Sequence, residues 1–204
     1  MPTILRRAVL ALLVILPAAM PALPAAAEPN DAAGFVQQLV GQALAVLATK
    51  GMPEGERERK FAVILTQNFD VLRIARFVLG RYWAGANDDE RKQFIEAYRN
   101  YIIRSYSARF AEYSGESVKV TNARPESDTI SVVNSDIIHP NGDPPVKVAW
   151  RVYKGADGYR IVDVDVEGVS MMVTQREEFA AVIQRNGGTV DGLTKALQQK
   201  TGAS

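Results

Sequence analysis

The amino-acid sequence predicts an α+β fold: a twisted antiparallel sheet covered on one face by N- and C-terminal helices. Three observations predict it. Apolar residues recur at helical spacing from Asp31 to about Tyr113, alternate at period two between Val118 and Glu167, and return to helical spacing from Thr174 to Lys200. Helices, then strands, then helices is the segregated order of α+β chains. No repeat, low-complexity tract or long linker interrupts it.

Before the first helix the chain reads as a leader. Arg6 and Arg7 form a positive start, Ala8 to Leu16 an apolar run, and Ala25-Ala26-Ala27 a small-residue cleavage pattern ahead of Glu28. The run is shorter than the ~20 residues a bilayer span needs. Residues 1–27 are therefore expected to be a cleaved signal peptide, and residues 28–204 a single domain. Cleavage would remove two arginines and no acids, taking the net charge from +1 to −1. A near-neutral domain lacks the basic stripe that nucleic-acid binding needs. The chain has no cysteine, so packing must hold the exported fold without disulfides, and no lipid anchor on a cysteine can form.

The first helix is expected over Asp31–Thr49, capped by Asn30 or Asp31 and ended by Gly51, with Phe35, Leu39, Ala43, Val46 and Leu47 inward. Pro53 opens a second at its first turn, where a missing N–H costs nothing; Phe61, Ile64 and Leu65 turn inward. Asp70 caps a third segment bearing Val71, Ile74, Phe77 and Val78 and closed by Gly80. A long helix over Asp88–Tyr113 begins with Asn87-Asp88-Asp89-Glu90, which has capping-box spacing. It carries Phe94, Tyr98, Tyr101, Tyr106, Phe110 and Tyr113. Tyrosine keeps a polar tip that needs a partner, so this run suits either a core or the wall of a cavity with a wet mouth.

Strands are expected around Val118 and Val120, then around Ile130 and Val132 with Ile137 beyond, and over Val146–Tyr153 and Tyr159–Glu167, with turns at His139–Pro144 and Gly155–Gly158. Setting Tyr153 opposite Tyr159 places Trp150 against Val162, Val148 against Val164, and Lys147 against Asp165. That hairpin has one oily and one charged face. Two helices, Thr174–Arg185 and Val190–Lys200, finish the chain.

Few motifs carry chemistry. Asp163, Asp165 and Glu167 alternate along a strand and could converge on a hard cation, but the register above turns them outward toward Lys147 and Arg151, a salt-bridged face. No metal site is expected. His139 is the lone histidine, and Ser170, in Gly168-Val169-Ser170-Met171-Met172, lacks the second glycine of a nucleophile elbow. There is no phosphate loop or dinucleotide fingerprint. Val169, Met171 and Met172 form an oily elbow whose methionines suit irregular apolar partners.

Two stretches resemble signatures of the MlaC, or toluene-tolerance, family. The first is Leu79-Gly80-Arg81-Tyr82-Trp83 with Glu90-Arg91 and Phe94; the second is Asp163-Val164 through Glu167-Gly168-Val169-Ser170-Met171 with Phe179. Pro140-Asn141-Gly142 and Pro144-Pro145-Val146 fit the loop between. The likeness runs from about Phe35 to Leu197; the hopanoid-associated HpnM proteins are a related branch, and a hopanoid-associated lipid carrier stays open as the alternative reading. It implies a periplasmic, non-enzymatic phospholipid carrier, the substrate-binding component of an ABC-type lipid transport system, with no cofactor beyond the bound diacyl lipid. Its implied partners are the MlaA–porin complex at the outer membrane and MlaD of the MlaFEDB transporter at the inner one.

The acyl chains are then expected in an apolar cavity between sheet and helices. Face assignment and resemblance together nominate Phe77, Val78, Tyr98, Tyr101, Ile102, Tyr106, Val148, Trp150, Val164, Val166, Val169, Met171 and Phe179 as its wall. Arg81, Arg104, Lys147 and Arg151 are candidates for a headgroup or docking rim. Two other readings stay open: a cone-fold isomerase or hydrolase, which would need a carboxylate or histidine on the oily face, and a structural envelope adaptor with a filled core.

Overall fold

The computed structural model describes residues 31–109 and 113–202; the leader expected over 1–27, and Phe110, lie outside them. Helix α1 (Ala32–Leu47) starts at Asp31, whose side chain accepts from the Gly34 N–H at 2.7 Å. Helix α2 (Glu54–Asn68) follows Pro53, and α3 (Val71–Leu79) is capped by Asp70. A single turn not expected from the sequence, α4 (Tyr82–Gly85), leads to α5 (Asp88–Arg109). The capping box forms there: Glu90 N–H donates to Asn87 Oδ1 (3.0 Å) while Asn87 N–H donates to Glu90 Oε2 (2.8 Å). Tyr113 is not helical; its hydroxyl donates to the Glu116 carbonyl at 3.2 Å.

Five strands follow as an antiparallel meander in sequence order: β1 (Ser117–Pro125), β2 (Ile130–Ile138), β3 (Val146–Gly155), β4 (Gly158–Val166) and the short β5 (Val169–Ser170). Glu167 and Gly168, both at positive φ (53° and 82°), make the tight β4–β5 turn. Helix α6 (Met171–Arg185) begins three residues earlier than expected because Ser170 caps it, its Oγ accepting from Val173 N–H at 3.1 Å. Helix α7 (Val190–Thr201) completes the fold. Gly192 in its first turn is required by space: a Cβ there would lie 2.1 Å from the Asn186 carbonyl oxygen.

The β3–β4 register differs from the sequence arithmetic. Gly155 opposes Gly158, so Tyr153 faces Arg160 rather than Tyr159, and a bulge at Val162 adds a second offset. Trp150 thus lies opposite Val164, and Val148 opposite Val166. Two single-residue offsets add to two, which restores the pairing of apolar with apolar side chains. The expected Lys147–Asp165 pair does not form: Ala149 faces Asp165, and Lys147 Nζ bridges Asp136 on β2 at 2.9 Å.

Among the described residues two apolar clusters form the core. One is helical, joining α3, α5, α6 and α7 through Val78, Leu79, Phe94, Phe179, Ile183 and Leu193. The other packs Phe35, Val36 and Leu39 of α1 and Ile64 of α2 onto Val133, Val152 and Ile161 of the sheet. α5 has no direct packing on the strands comparable to that of α1, α2, α3 and α6; between it and β4 lies a gap.

Candidate functional site

That gap is a chamber of about 440 Å³. The sheet contributes Trp150, Val162, Asp163, Val164 and Val166; α5 contributes Tyr98, Arg99, Ile102 and Tyr106. Phe61, Leu65, Phe69, Val71 and Ile74 enclose it from α2 and α3, and Met171, Met172 and Gln175 from α6. On α5 the four lining residues recur at the i, i+3/i+4, i+7/i+8 spacing of one helical stripe. The bulge helps make the wall, since it leaves Val162 unpaired and lets successive residues Val162, Asp163 and Val164 all border the space.

The polar atoms in this wall are mostly satisfied. Trp150 Nε1 donates to Ser135 Oγ at 2.9 Å, and the Tyr98 hydroxyl donates to Gln175 Oε1 at 2.5 Å. Burial, seconded by Tyr106, Tyr101 and Asp163, pushes the Tyr98 phenol far above its ordinary range, so it stays a neutral donor.

Asp163 corrects the sequence reading. Expected on the charged outer face, it is 4 % exposed and borders the chamber. Its Oδ1 accepts from the N–H groups of Val164 (2.9 Å) and Met172 (3.1 Å); its Oδ2 accepts from Ser170 Oγ (2.6 Å) and Arg151 Nη1 (3.4 Å). Four donors occupy a carboxylate's acceptor sites, which leaves none to take a proton from a substrate. Asp163 ties β4 to the start of α6. Asp165 is half-buried and Glu167 exposed. Among the described residues no three His, Cys, Asp or Glu side chains group to hold a metal, and no helix is long and apolar enough to cross a membrane. His139 stands 3.8 Å from Glu116, outside the chamber lining.

Of the thirteen wall candidates, the structure brings seven together: Tyr98, Ile102, Tyr106, Trp150, Val164, Val166 and Met171. The other six stand elsewhere. Val78 and Phe179 are sealed in the helical cluster, and Phe77 and Tyr101 pack against it, because the stripes that carry them face neighbouring helices rather than the sheet. Val148 is buried beside a second groove with Ser135 and Lys147. Val169 is 50 % exposed, since the tight turn before β5 throws it outward.

None of the four rim candidates lines the chamber. Arg81 Nη2 donates to the Tyr82 hydroxyl, Arg104 Nη1 to the Thr201 carbonyl at the end of α7, and Lys147 bridges Asp136. Arg151 grips Glu126 with two hydrogen bonds of 2.8 and 2.9 Å. These are intramolecular ties. Sequence reasoning missed Arg99, Phe61, Leu65, Val162, Met172 and Gln175. The α5 stripe through Ile102 and Tyr106 could have revealed Arg99, whereas Val162 depends on a bulge that no periodicity announces.

An antiparallel meander carrying helices on one face, with an oily hollow between the two, defines a class of α+β domains built around an internal apolar pocket. The comparisons with known proteins narrow this. The model described as "MlaC protein" matches residues 37–199, and the chain belongs to the MlaC family. It is 26 % identical over 198 residues to the toluene tolerance protein ttg2D of Pseudomonas putida, covering 94 % of this chain and 88 % of that one. It also resembles the solved structure of a phospholipid-binding protein from Ralstonia solanacearum in complex with a phospholipid: TM-score 0.72, 28 % identity, covering 84 % of this chain and 97 % of the other.

Proposed function

We propose that this protein is a periplasmic carrier that encloses the acyl chains of a diacyl glycerophospholipid and shuttles it between outer and inner membranes, as the substrate-binding component of an ABC-type lipid transport system. The observation that carries this is the apolar chamber between α5 and β4, in a chain of the MlaC family whose structural relative was solved with a phospholipid. Its volume falls in the ~300–1,000 Å³ range of ligand pockets. Each methylene left in water costs about 0.8 kcal/mol, so a bare two-chain lipid is penalised by roughly 20 kcal/mol or more. A shuttle must hide those chains. The seven wall candidates gathered at the chamber are the proposed acyl contacts.

The remaining parts of the reading follow from the family: residues 1–27 as a cleaved signal peptide, residues 28–204 as one carrier domain, and exchange with an MlaA–porin complex and with MlaD of an MlaFEDB transporter. Enzymatic action is not part of it, because Asp163, the one carboxylate lining the chamber among the described residues, is saturated by its four donors. Native mass spectrometry of protein purified from the periplasm, followed by lipid extraction, tests the proposal. The expected result is a mass increment matching a diacyl phospholipid; only the apo mass, with no extractable lipid, counts against it.

A further inference from the structure

One side chain in the chamber wall has no partner. Among the described residues, Arg99 Nε is the buried side-chain nitrogen left without a hydrogen bond, and no carboxylate or carbonyl pairs with its guanidinium. An arginine is permanently charged and carries five donors in a fixed fork. Burying part of it beside hydrocarbon without an acceptor is unfavourable, whereas Arg81, Arg104, Lys147 and Arg151 are each tied to an acceptor within the protein. Arg99 also stands at a boundary. Together with Phe69 and Val71 it lines both the apolar chamber and a second, more open cavity of about 490 Å³. That second space is framed by Thr66, Asp70, Tyr153, Asp157 and Arg160, from the α2–α3 junction and the β3–β4 hairpin. Asp70 is occupied, accepting from the Arg73 backbone N–H (2.9 Å) and from Arg73 Nε (3.1 Å).

We propose that Arg99 anchors an anionic phosphodiester tethered to acyl chains, and that the second cavity is the vestibule in which the polar headgroup lies. This rests on the carrier reading and adds to it a position and a chemical cause. The chain of reasoning is spatial. A diacyl phospholipid places its phosphate where oil meets water, and Arg99 is the cation at the neck joining an oily space to a polar one. The guanidinium fork suits two phosphate oxygens, and its three-carbon stem can lie along the apolar wall with the head toward the vestibule. Phosphate would supply the acceptor the protein does not. The headgroup then lies beside the β3–β4 hairpin, in a space that Arg81, Arg104 and Lys147 do not line.

The test uses lipid-stripped full-length exported protein and two probes with identical brominated acyl chains, diacyl phosphatidylglycerol and diacylglycerol. Quenching of tryptophan fluorescence reports entry, because Trp150 is in the wall. Arg99→Met keeps the stem and removes the charge. Phosphatidylglycerol should bind this variant about ten- to a hundredfold more weakly, the loss expected for a charged hydrogen-bonding partner, with diacylglycerol binding unchanged. Arg99→Lys should recover part of the loss, and excess inorganic phosphate should not displace phosphatidylglycerol from the wild type.

Unchanged phosphatidylglycerol affinity in Arg99→Met overturns the anchor while leaving the carrier intact. Equal loss of both probes assigns Arg99 to the wall and also overturns it. Displacement by inorganic phosphate reassigns the site to a soluble anion. Failure of the wild type to be quenched by either probe removes the carrier reading, and the anchor falls with it.

Discussion

The face of α5 that carries Phe94 and Ala97 meets a packed wall; the face that carries Arg99 and Tyr106 meets a void, with Tyr98 and Ile102 on the border. On the packed side, Phe94 stacks on Tyr98 at 5.7 Å, and Phe179 from α6 meets both rings edge-on at 6.2 and 5.8 Å. Leu193 and Leu197 of α7 close the remaining space. On the other side the sheet presents Trp150, Val162, Val164 and Val166 across the chamber, and these side chains leave it open. One helix thus serves as core and as cavity wall. The difference lies in the reach of what stands opposite, rather than in the helix's own hydrophobicity.

If the helical cluster is a true core, Phe94→Ala should be the most damaging of these changes. Phe94 is fully buried, and the loss should be about 3–5 kcal/mol by urea unfolding. A value below about 1 kcal/mol would erase the distinction between the two sides. Asp163→Asn comes next. An amide cannot accept from all four donors, so about 1–3 kcal/mol should be lost. Hydrogen exchange should quicken first at Met172, whose N–H donates to Asp163, while phospholipid still copurifies.

The chamber side should respond differently to a change in volume. Ile102→Ala should cost the lipid-free protein only about 1 kcal/mol, because one flank of that side chain already faces space, less than the ~2–5 kcal/mol of a sealed site. Val164→Trp should sharpen the contrast: filling the chamber should abolish copurified lipid while the melting temperature of the lipid-free form holds or rises. The same replacement at Ala75, inside the helical cluster, should unfold the chain.

The smallest effect expected lies outside both regions, at Glu116. Hydrogen bonds from the Ser114 N–H and hydroxyl, then from its own backbone, and lastly the charge of His139, lower its pKa from 4.5 to about 2. A depressed carboxylate pKa adds stability above pH 4.5 that is lost as pH falls toward 2. Glu116→Gln should therefore flatten the stability–pH curve between those values and slightly lower stability at neutral pH, where the wild type has the full contribution, as read by thermal melts.

Local order was legible in the residues themselves. The Asn87–Glu90 capping box, the Asp31 and Asp70 caps, the four main strands and the α+β class follow from hydrogen-bonding chemistry and period, which act over a few neighbours. The family signatures were legible for the same reason, being short contiguous runs. What only the tertiary structure decided was which apolar residues seal and which enclose. Phe179 and Ile102 are both inward at helical spacing, yet one is wedged among rings and the other borders a hollow. Asp163 points into the protein because a bulge and a tight turn bring Ser170 and Met172 to it. Arg99 Nε stands unpaired where two cavities meet, a place the sequence does not mark. Each outcome depends on distances between segments far apart in the chain, and period alone carries no information about those.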